Sequence, residues 1–164
     1  MSPYPISITQ LRLLSSFNGF AVNITDCLTI HSDEIFYAYD DKALKYSVCT
    51  NSIPSELLLN QEYFTIKNDS KKNIIFWSID GKFITKSKMQ KCDCAIFDEN
   101  TFCLVEFKTD SEGKSTETKE DIINHAQAQI ITTYKLIEEK IKAKGVDLLD
   151  KVTIEGHICL SKRY

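Results

Sequence analysis

Two apolar segments in the middle of the chain, residues 92–97 and 102–108, have the composition of paired β-strands. The polar residues between them, at 98–101, are typical of a hairpin turn. If the middle two of these residues form the loop, the period-two geometry of strands places Asp93 directly opposite Glu106. Lys108 then projects to the same side. The pattern therefore predicts two carboxylates and a lysine at one end of a hairpin.

Other segments predict the remaining strands and two short helices. Apolar runs at 73–79 and 82–86 flank Asp80-Gly81, a strong hairpin dipeptide, and predict a second strand pair that leads into the first. A final strand is predicted at 152–160 from its alternation of apolar and polar residues. Residues 1–65 have a weaker pattern, which indicates helices at 6–17 and 54–59 and strands at 20–30 and 34–39.

The longest predicted helix covers residues 117–144. Its apolar stripe, at spacings of three and four, consists of Ile123, Ala126, Ile130, Tyr134, Ile137 and Ile141. Gln127 adjoins Ala126 on the flank of this stripe and is predicted to face the sheet. Gln129 is predicted to point away from it.

These elements predict an α+β fold in one domain. The chain has 164 residues, 43% of them hydrophobic, with only three prolines and five glycines, so no linker divides it. We expect a single domain over 1–164, with its core at about 72–160 and an N-terminal elaboration at 1–71. No apolar run is long enough to span a bilayer, and the N-terminus lacks the pattern of a signal peptide. A cytoplasmic protein without membrane association is therefore expected.

The six cysteines do not form the Cys-x-x-Cys pairs of zinc ribbons or thioredoxin-like sites. Zinc is therefore not expected. Small buried hydrophobic residues are the better interpretation of these cysteines, and we expect them to remain reduced.

The charge balance limits the class of partner. A net charge of -3 and a pI near 5.6 argue against a protein that coats nucleic acid through bulk charge. A local basic cluster of Lys86, Lys88 and Lys91 leads into Asp93 and is predicted to contact a phosphate backbone. A solvated edge strand protected by lysines explains the same pattern equally well.

The facing carboxylates need a compensating positive charge, because like charges directly opposite each other on a sheet repel. Lys108 would supply part of it, and a hard cation such as Mg²⁺ or Mn²⁺ the rest, which is chemistry that stabilises a transferring phosphoryl group. The pattern acid-x-Lys occurs seven times, but only Glu106 and Lys108 interrupt an apolar strand. A structural ion pair is the alternative. The polar stretch 109–116 predicts a loop beside the site.

The chain resembles the PD-(D/E)XK nuclease superfamily over roughly residues 72–160. The shared features are a strand, a hairpin carrying Asp93 and Glu106-Phe107-Lys108, a long helix with an inward glutamine and a closing strand. The resemblance implies a restriction-endonuclease-like fold, a mixed central sheet flanked by helices. It also implies that Asp93, Glu106 and the Phe107 carbonyl bind Mg²⁺ or Mn²⁺, that Lys108 is the catalytic lysine, and that Gln127 joins the site.

Some positions depart from the family pattern. Cys92 stands where the family often has proline, and Ile131 stands where the RecB-like branch has tyrosine after its glutamine. Many members also use an acidic residue on the first core helix, for which Glu34 and Glu56 are both candidates.

The implied function is metal-dependent hydrolysis of phosphodiester bonds, with DNA as the first expected substrate and RNA or a small nucleotide as alternatives. A non-catalytic nucleic-acid-binding or assembly protein with a nuclease-like fold is the competing class. A small acidic nuclease domain is also expected to form a homodimer or to use a partner protein, because it must gain contact area with its substrate.

Overall fold

The computed structural model describes residues 3–86, 88–108 and 118–161. The loop predicted at 109–116 lies outside the described residues. Within these ranges the helices are α1 (Ile6–Thr9), α2 (Leu13–Ser16), α3 (Ser55–Leu58), α4 (Lys119–Lys142) and α5 (Leu148–Lys151), with a 3₁₀ turn at Ile24–Cys27. None of the described helices is long and apolar enough to cross a bilayer.

The described strands form two sheets. In chain order they are β1 (Leu28–His31), β2 (Ile35–Asp41), β3 (Tyr46–Thr50), β4 (Phe64–Lys67), β5 (Ile74–Ser78), β6 (Cys94–Phe97), β7 (Thr101–Lys108) and β8 (Thr153–Leu160). The larger sheet has the order β1-β5-β6-β7-β8, and the smaller has the order β3-β2-β4. All neighbouring strands are antiparallel except β7 and β8, which are parallel and joined through α4. The chain therefore has the predicted mixed α+β fold.

The β6–β7 hairpin has the predicted register. Cys94 is the register partner of Val105, and Phe97 is the partner of Phe102. β6 is buried along its whole length, and β7 is buried over most of it. The hairpin lies in the centre of the sheet, with β5 on one side and β8 on the other.

The prediction of a second hairpin at Asp80-Gly81 is wrong. Both edges of β5 are already occupied by β1 and β6, so residues 82–86 have no strand edge to pair with. The chain instead turns back on itself, and the amides of Phe83 and Ile84 both donate to the carbonyl of Ile79. Phe83 packs edge-on against Trp77 with ring centroids 5.2 Å apart. Apolar residues that resemble a strand in the sequence therefore fill the core from a turn.

The larger sheet is covered on both faces. One face packs against α4 and the N-terminal helices, with Leu13, Phe17, Trp77 and Ile137 all buried in this layer. The opposite face packs against the smaller sheet, where Phe36 on β2 is buried in the same cluster as residues of β5, β6 and β7. Because β1 and the N-terminal helices contribute to this core, it extends beyond the 72–160 range.

The predicted long helix corresponds to α4, which begins with a capping box. The Thr118 side chain accepts from the amide of Asp121, and the Asp121 carboxylate accepts from the amide of Thr118. The buried residues of α4 are Ile122, Ala126, Thr133, Ile137 and Ile141. The helix is therefore rotated relative to the predicted stripe, since Ile122 and Thr133 replace Ile123 and Tyr134 on its buried line.

Candidate active site

The structure brings Asp93, Glu106 and Lys108 together at one end of the β6–β7 hairpin. Glu106 lies within β7 and is 2% exposed, and Asp93 directly precedes β6 and is 8% exposed. A salt bridge of 2.7 Å joins Lys108 Nζ to Glu106 Oε1. The predicted grouping of two acids and one lysine is thus present, and both acids are buried.

Asp93 reaches this position through a break in the ladder. Its amide donates to the carbonyl of Val105 at 3.1 Å, although the register partner of Val105 is Cys94. Asp93 and Cys94 therefore both oppose Val105, as in a β-bulge. The bulge leaves the amide of Phe107 without a backbone acceptor on the neighbouring strand. This amide donates instead to Asp93 Oδ2 at 2.6 Å. The bulge and this side-chain hydrogen bond fix the Asp93 carboxylate beside Glu106.

The two carboxyl groups are close enough to share a hydrogen bond. Such a bond exists only if one of them is protonated, because an ionised carboxylate is an acceptor and has no proton to donate. With both ionised, Glu106 Oε2 is buried and has no hydrogen-bond donor among the described residues. Either a shared proton or a bound cation would relieve this arrangement.

Burial and neighbouring charges act on both carboxyl groups. Burial is the largest influence and raises the pKa of Asp93 well above its usual value, and the charges of Glu106, Asp40 and Asp80 raise it further. Burial also raises the pKa of Glu106, whereas the nearby Lys108 ammonium acts in the opposite direction. Lys108 therefore offsets part of the negative charge at this end of the hairpin.

Lys108 is held from two sides. Besides Glu106, its Nζ donates to Gln129 Oε1 on α4 at 2.6 Å. Gln129 Nε2 in turn donates to the carbonyl of Lys91 at 3.0 Å, which joins the helix to the segment that leads into Asp93. Gln129 therefore fixes the lysine and connects both sides of the site.

The predicted orientation of the glutamines is wrong. Gln127 is exposed, whereas Gln129 faces the sheet. The reason is the rotation of α4: Gln129 lies three residues after buried Ala126 and four before buried Thr133, and so falls on the buried line. Thr133 supports this orientation, because its hydroxyl accepts from the amide of Cys92 at 2.7 Å.

Two further acids that sequence reasoning missed, Asp40 and Asp80, adjoin the pair. Asp40 lies on β2 in the smaller sheet, and Asp80 follows β5. They line a cleft of about 340 Å³ that also reaches Asp93, with Asp41, Lys42 and Lys45 on its wall. Nothing in the sequence places Asp40 here, and the Asp80-Gly81 dipeptide was interpreted only as a turn.

Glu34 and Glu56, the two N-terminal candidates, are both exposed, and neither is among the main charges that act on Asp93 or Glu106. Asp40 and Asp80, by contrast, are among the charges that raise the pKa of Asp93.

The predicted lysine cluster does not form one surface. Lys91 is 5% exposed, and its Nζ donates to the carbonyls of Lys86 and Met89 and pairs with Asp80 Oδ1 at 3.3 Å. It is therefore not available to a phosphate, contrary to the prediction. Lys86 and Lys88 are exposed. Lys88 lines a second cleft, of about 270 Å³, together with Asp80, Lys91, His125 and Gln129.

The residues present fit a hard divalent cation. Carboxylate and carbonyl oxygens are the ligands that such ions prefer, and the Asp93 and Glu106 carboxylates supply the first two. The Phe107 carbonyl is a third candidate, because the amide and carbonyl of one strand residue point to the same edge and the Phe107 amide points to Asp93. Glu106 Oε2, which is buried and has no donor among the residues that the structure describes, is an oxygen that such a cation could bind.

The comparisons with known proteins give no family. No protein-family model, no curated protein and no solved structure shows significant similarity to this chain.

We predict that the metal-free protein loses stability as the pH rises. The usual pKa values of the two carboxyl groups are 3.8 and 4.5, and both are raised in the folded state. At pH values between the usual and the raised pKa values, the folded state therefore binds more protons than the unfolded state. The free energy of unfolding therefore falls as pH increases through this window, by about 1.4 kcal/mol for each unit by which a pKa is raised. Thermal melting in EDTA from about pH 5 to about pH 8 measures the slope.

The matched control is the double variant Asp93→Asn/Glu106→Gln, which keeps the shape of both side chains and removes both titrations. Its melting temperature should depend less on pH than that of the wild type. Equal slopes for the two proteins would show that the pair is not a site of uncompensated charge.

Proposed function

We propose that this protein is a metal-dependent nuclease that hydrolyses phosphodiester bonds in DNA. The observation that carries the proposal is the buried pair of Asp93 and Glu106, with the ammonium of Lys108 in a salt bridge to Glu106. Buried like charges with raised pKa values are unfavourable for stability, and such arrangements cluster at functional sites.

The cofactor of this proposal is Mg²⁺ or Mn²⁺, held by the carboxylates of Asp93 and Glu106 and the carbonyl of Phe107. When bound, such an ion polarises a phosphoryl oxygen and makes a water molecule more acidic. Asp40 and Asp80 line the adjoining cleft, where they extend the negative surface that attracts the cation.

Lys108 is the catalytic side chain of the proposal. An ammonium group has three donors, and those to Glu106 Oε1 and Gln129 Oε1 account for two of them. The third would be available to a phosphoryl oxygen or to the attacking water. Because Glu106 and Gln129 hold the ammonium in place, it offsets the charge that develops in the transition state without first having to reorganise.

Gln129 is a positioning residue. It contacts Lys108 through one end of its amide and the Lys91 carbonyl through the other. The hydrogen bond to Lys91 fixes which end of the amide faces the lysine, since the amide nitrogen is used as a donor to the carbonyl.

The substrate would bind across the two clefts that meet at Asp80. Lys42 and Lys45 line one of them, and Lys88 and His125 line the other. These groups would supply phosphate contacts in the two clefts, although the chain as a whole is acidic. The order of strand, hairpin, long helix and parallel closing strand supports the resemblance to PD-(D/E)XK nucleases, and so does the pairing of Glu106 with Lys108.

We predict that the wild-type protein cuts labelled DNA in Mg²⁺ or Mn²⁺ and that Glu106→Gln and Lys108→Ala abolish cutting while the fold is kept. Removal of one preorganised charge-stabilising group typically lowers the rate by about 10²–10³-fold. Single-stranded, duplex and branched DNA are assayed beside RNA, with Lys135→Ala, an exposed lysine on α4, as the matched control. Cutting of RNA alone would move the substrate class to RNA.

No cutting of any substrate, or full activity in Lys108→Ala, would contradict the proposed mechanism and favour a non-catalytic binding or assembly protein. Circular dichroism of each variant confirms that a loss of activity is not a loss of fold.

We also predict that Gln129→Ala lowers cleavage and Gln127→Ala does not, because only Gln129 contacts Lys108. The loss should appear in kcat rather than in KM, since the lysine loses a fixed partner. Equal activity of the two alanine variants would remove Gln129 from the site.

A further inference from the structure

A second group of metal-ligating side chains lies on β7 and β8, away from the proposed nuclease site. Cys103, Glu155 and His157 each offer one ligand atom, and these three atoms all lie within 4.8 Å of one another. Cys103 lies on β7 at an odd position and Glu106 at an even one, so their side chains point to opposite faces of the sheet. The group therefore faces away from Glu106, and it does not include Asp93.

The strand register brings the three residues together. Cys103 and Glu155 are partners in the parallel β7–β8 ladder, and His157 is two residues beyond Glu155 on the same face. Cys103 and Glu155 are 52 residues apart in the chain. A search for closely spaced cysteines and histidines therefore cannot find the group.

Glu155 lies at the centre of the group. Its Oε2 is 2.9 Å from His157 Nε2 and 3.6 Å from Cys103 Sγ. The hydrogen bond from His157 is the largest influence on Glu155 and lowers the pKa of its carboxyl, so that Glu155 is an anion at neutral pH. The Phe64 ring packs against the imidazole of His157 at a centroid distance of 5.2 Å and limits its orientations.

We propose that Cys103, Glu155 and His157 form a binding site for Zn²⁺. Sulfur, nitrogen and carboxylate oxygen are the three ligand types that zinc uses in proteins, and three protein ligands with one open position are a known zinc arrangement. Ligand atoms about 2.0–2.3 Å from a tetrahedral zinc lie about 3.2–3.8 Å apart, so the observed spacing needs only small side-chain rotations.

The local charge favours a cation. Burial, Glu155 and Asp98 all raise the pKa of Cys103, to about 12, so its thiol is protonated without metal. Zinc binding therefore releases the Cys103 proton to solvent while the Zn–S bond forms, and the affinity should rise with pH. The three residues lie on β7 and β8, which are paired continuously from Thr101 to Lys108 of β7. This pairing gives the three side chains a rigid base.

The test uses Co²⁺ as a spectroscopic probe in the presence of excess Mg²⁺, which occupies the oxygen-ligand site. We expect wild-type protein to develop the charge-transfer absorption of a cobalt–thiolate bond at one equivalent. Zn²⁺ should then abolish this absorption, because zinc binds more tightly than cobalt to a given site. Cys103→Ser should remove the absorption, and His157→Gln should weaken binding by at least about tenfold.

Cys159→Ser is the matched control, because Cys159 is also a half-buried cysteine, lies on β8, and belongs to no such group among the residues that the structure describes. It should keep the cobalt absorption. Glu106→Gln should keep it too, which separates this site from the nuclease site. Absence of the absorption in folded wild-type protein, or its persistence in Cys103→Ser, would overturn the proposal and leave the three residues as a hydrogen-bonded group.

Discussion

The buried contact between the Asp93 and Glu106 carboxyl groups is the constraint on which the account of this protein depends. Both groups are almost inaccessible to water, both have raised pKa values, and Glu106 Oε2 has no hydrogen-bond donor in the described part of the chain. A core assembled only for stability would avoid such a pair, because burying like charges costs free energy that apolar residues would not. The surrounding structure is arranged to hold the pair rather than to separate it.

Three features of the fold keep these groups together. The bulge before β6 takes Asp93 out of the ladder, and the Phe107 amide then binds its carboxylate. Glu106 lies within a strand that is paired on both sides, so it cannot withdraw to solvent. Gln129 links Lys108 on β7 to the carbonyl of Lys91 before β6, which closes the site against α4. The smaller sheet brings Asp40 to the opposite wall and increases the negative potential at Asp93.

The sequence was sufficient where the structure is local. The hairpin register follows from alternation and a short turn, and so the grouping of Asp93, Glu106 and Lys108 could be predicted. The parts of the site that depend on tertiary packing could not be predicted from the sequence. Asp40 comes from a sheet with weak patterning, and the choice between Gln127 and Gln129 depends on how α4 is rotated against the sheet. The turn at 80–84 was misassigned because its apolar residues pack inward from a segment that has no strand edge to pair with.

The most direct test of the central claim is calorimetric titration of the metal-free protein with Mn²⁺, comparing wild type with Glu106→Gln and Asp93→Asn. Glu155→Gln, which alters the group on β7 and β8 only, is the control. The account predicts that wild type and Glu155→Gln bind Mn²⁺ and that both site variants lose this binding. At 100 times its dissociation constant, Mn²⁺ would stabilise the wild type by about 2.7 kcal/mol. A wild type that binds no Mn²⁺, or a Glu106→Gln variant that binds it as tightly, would contradict the claim that the buried pair holds a cation.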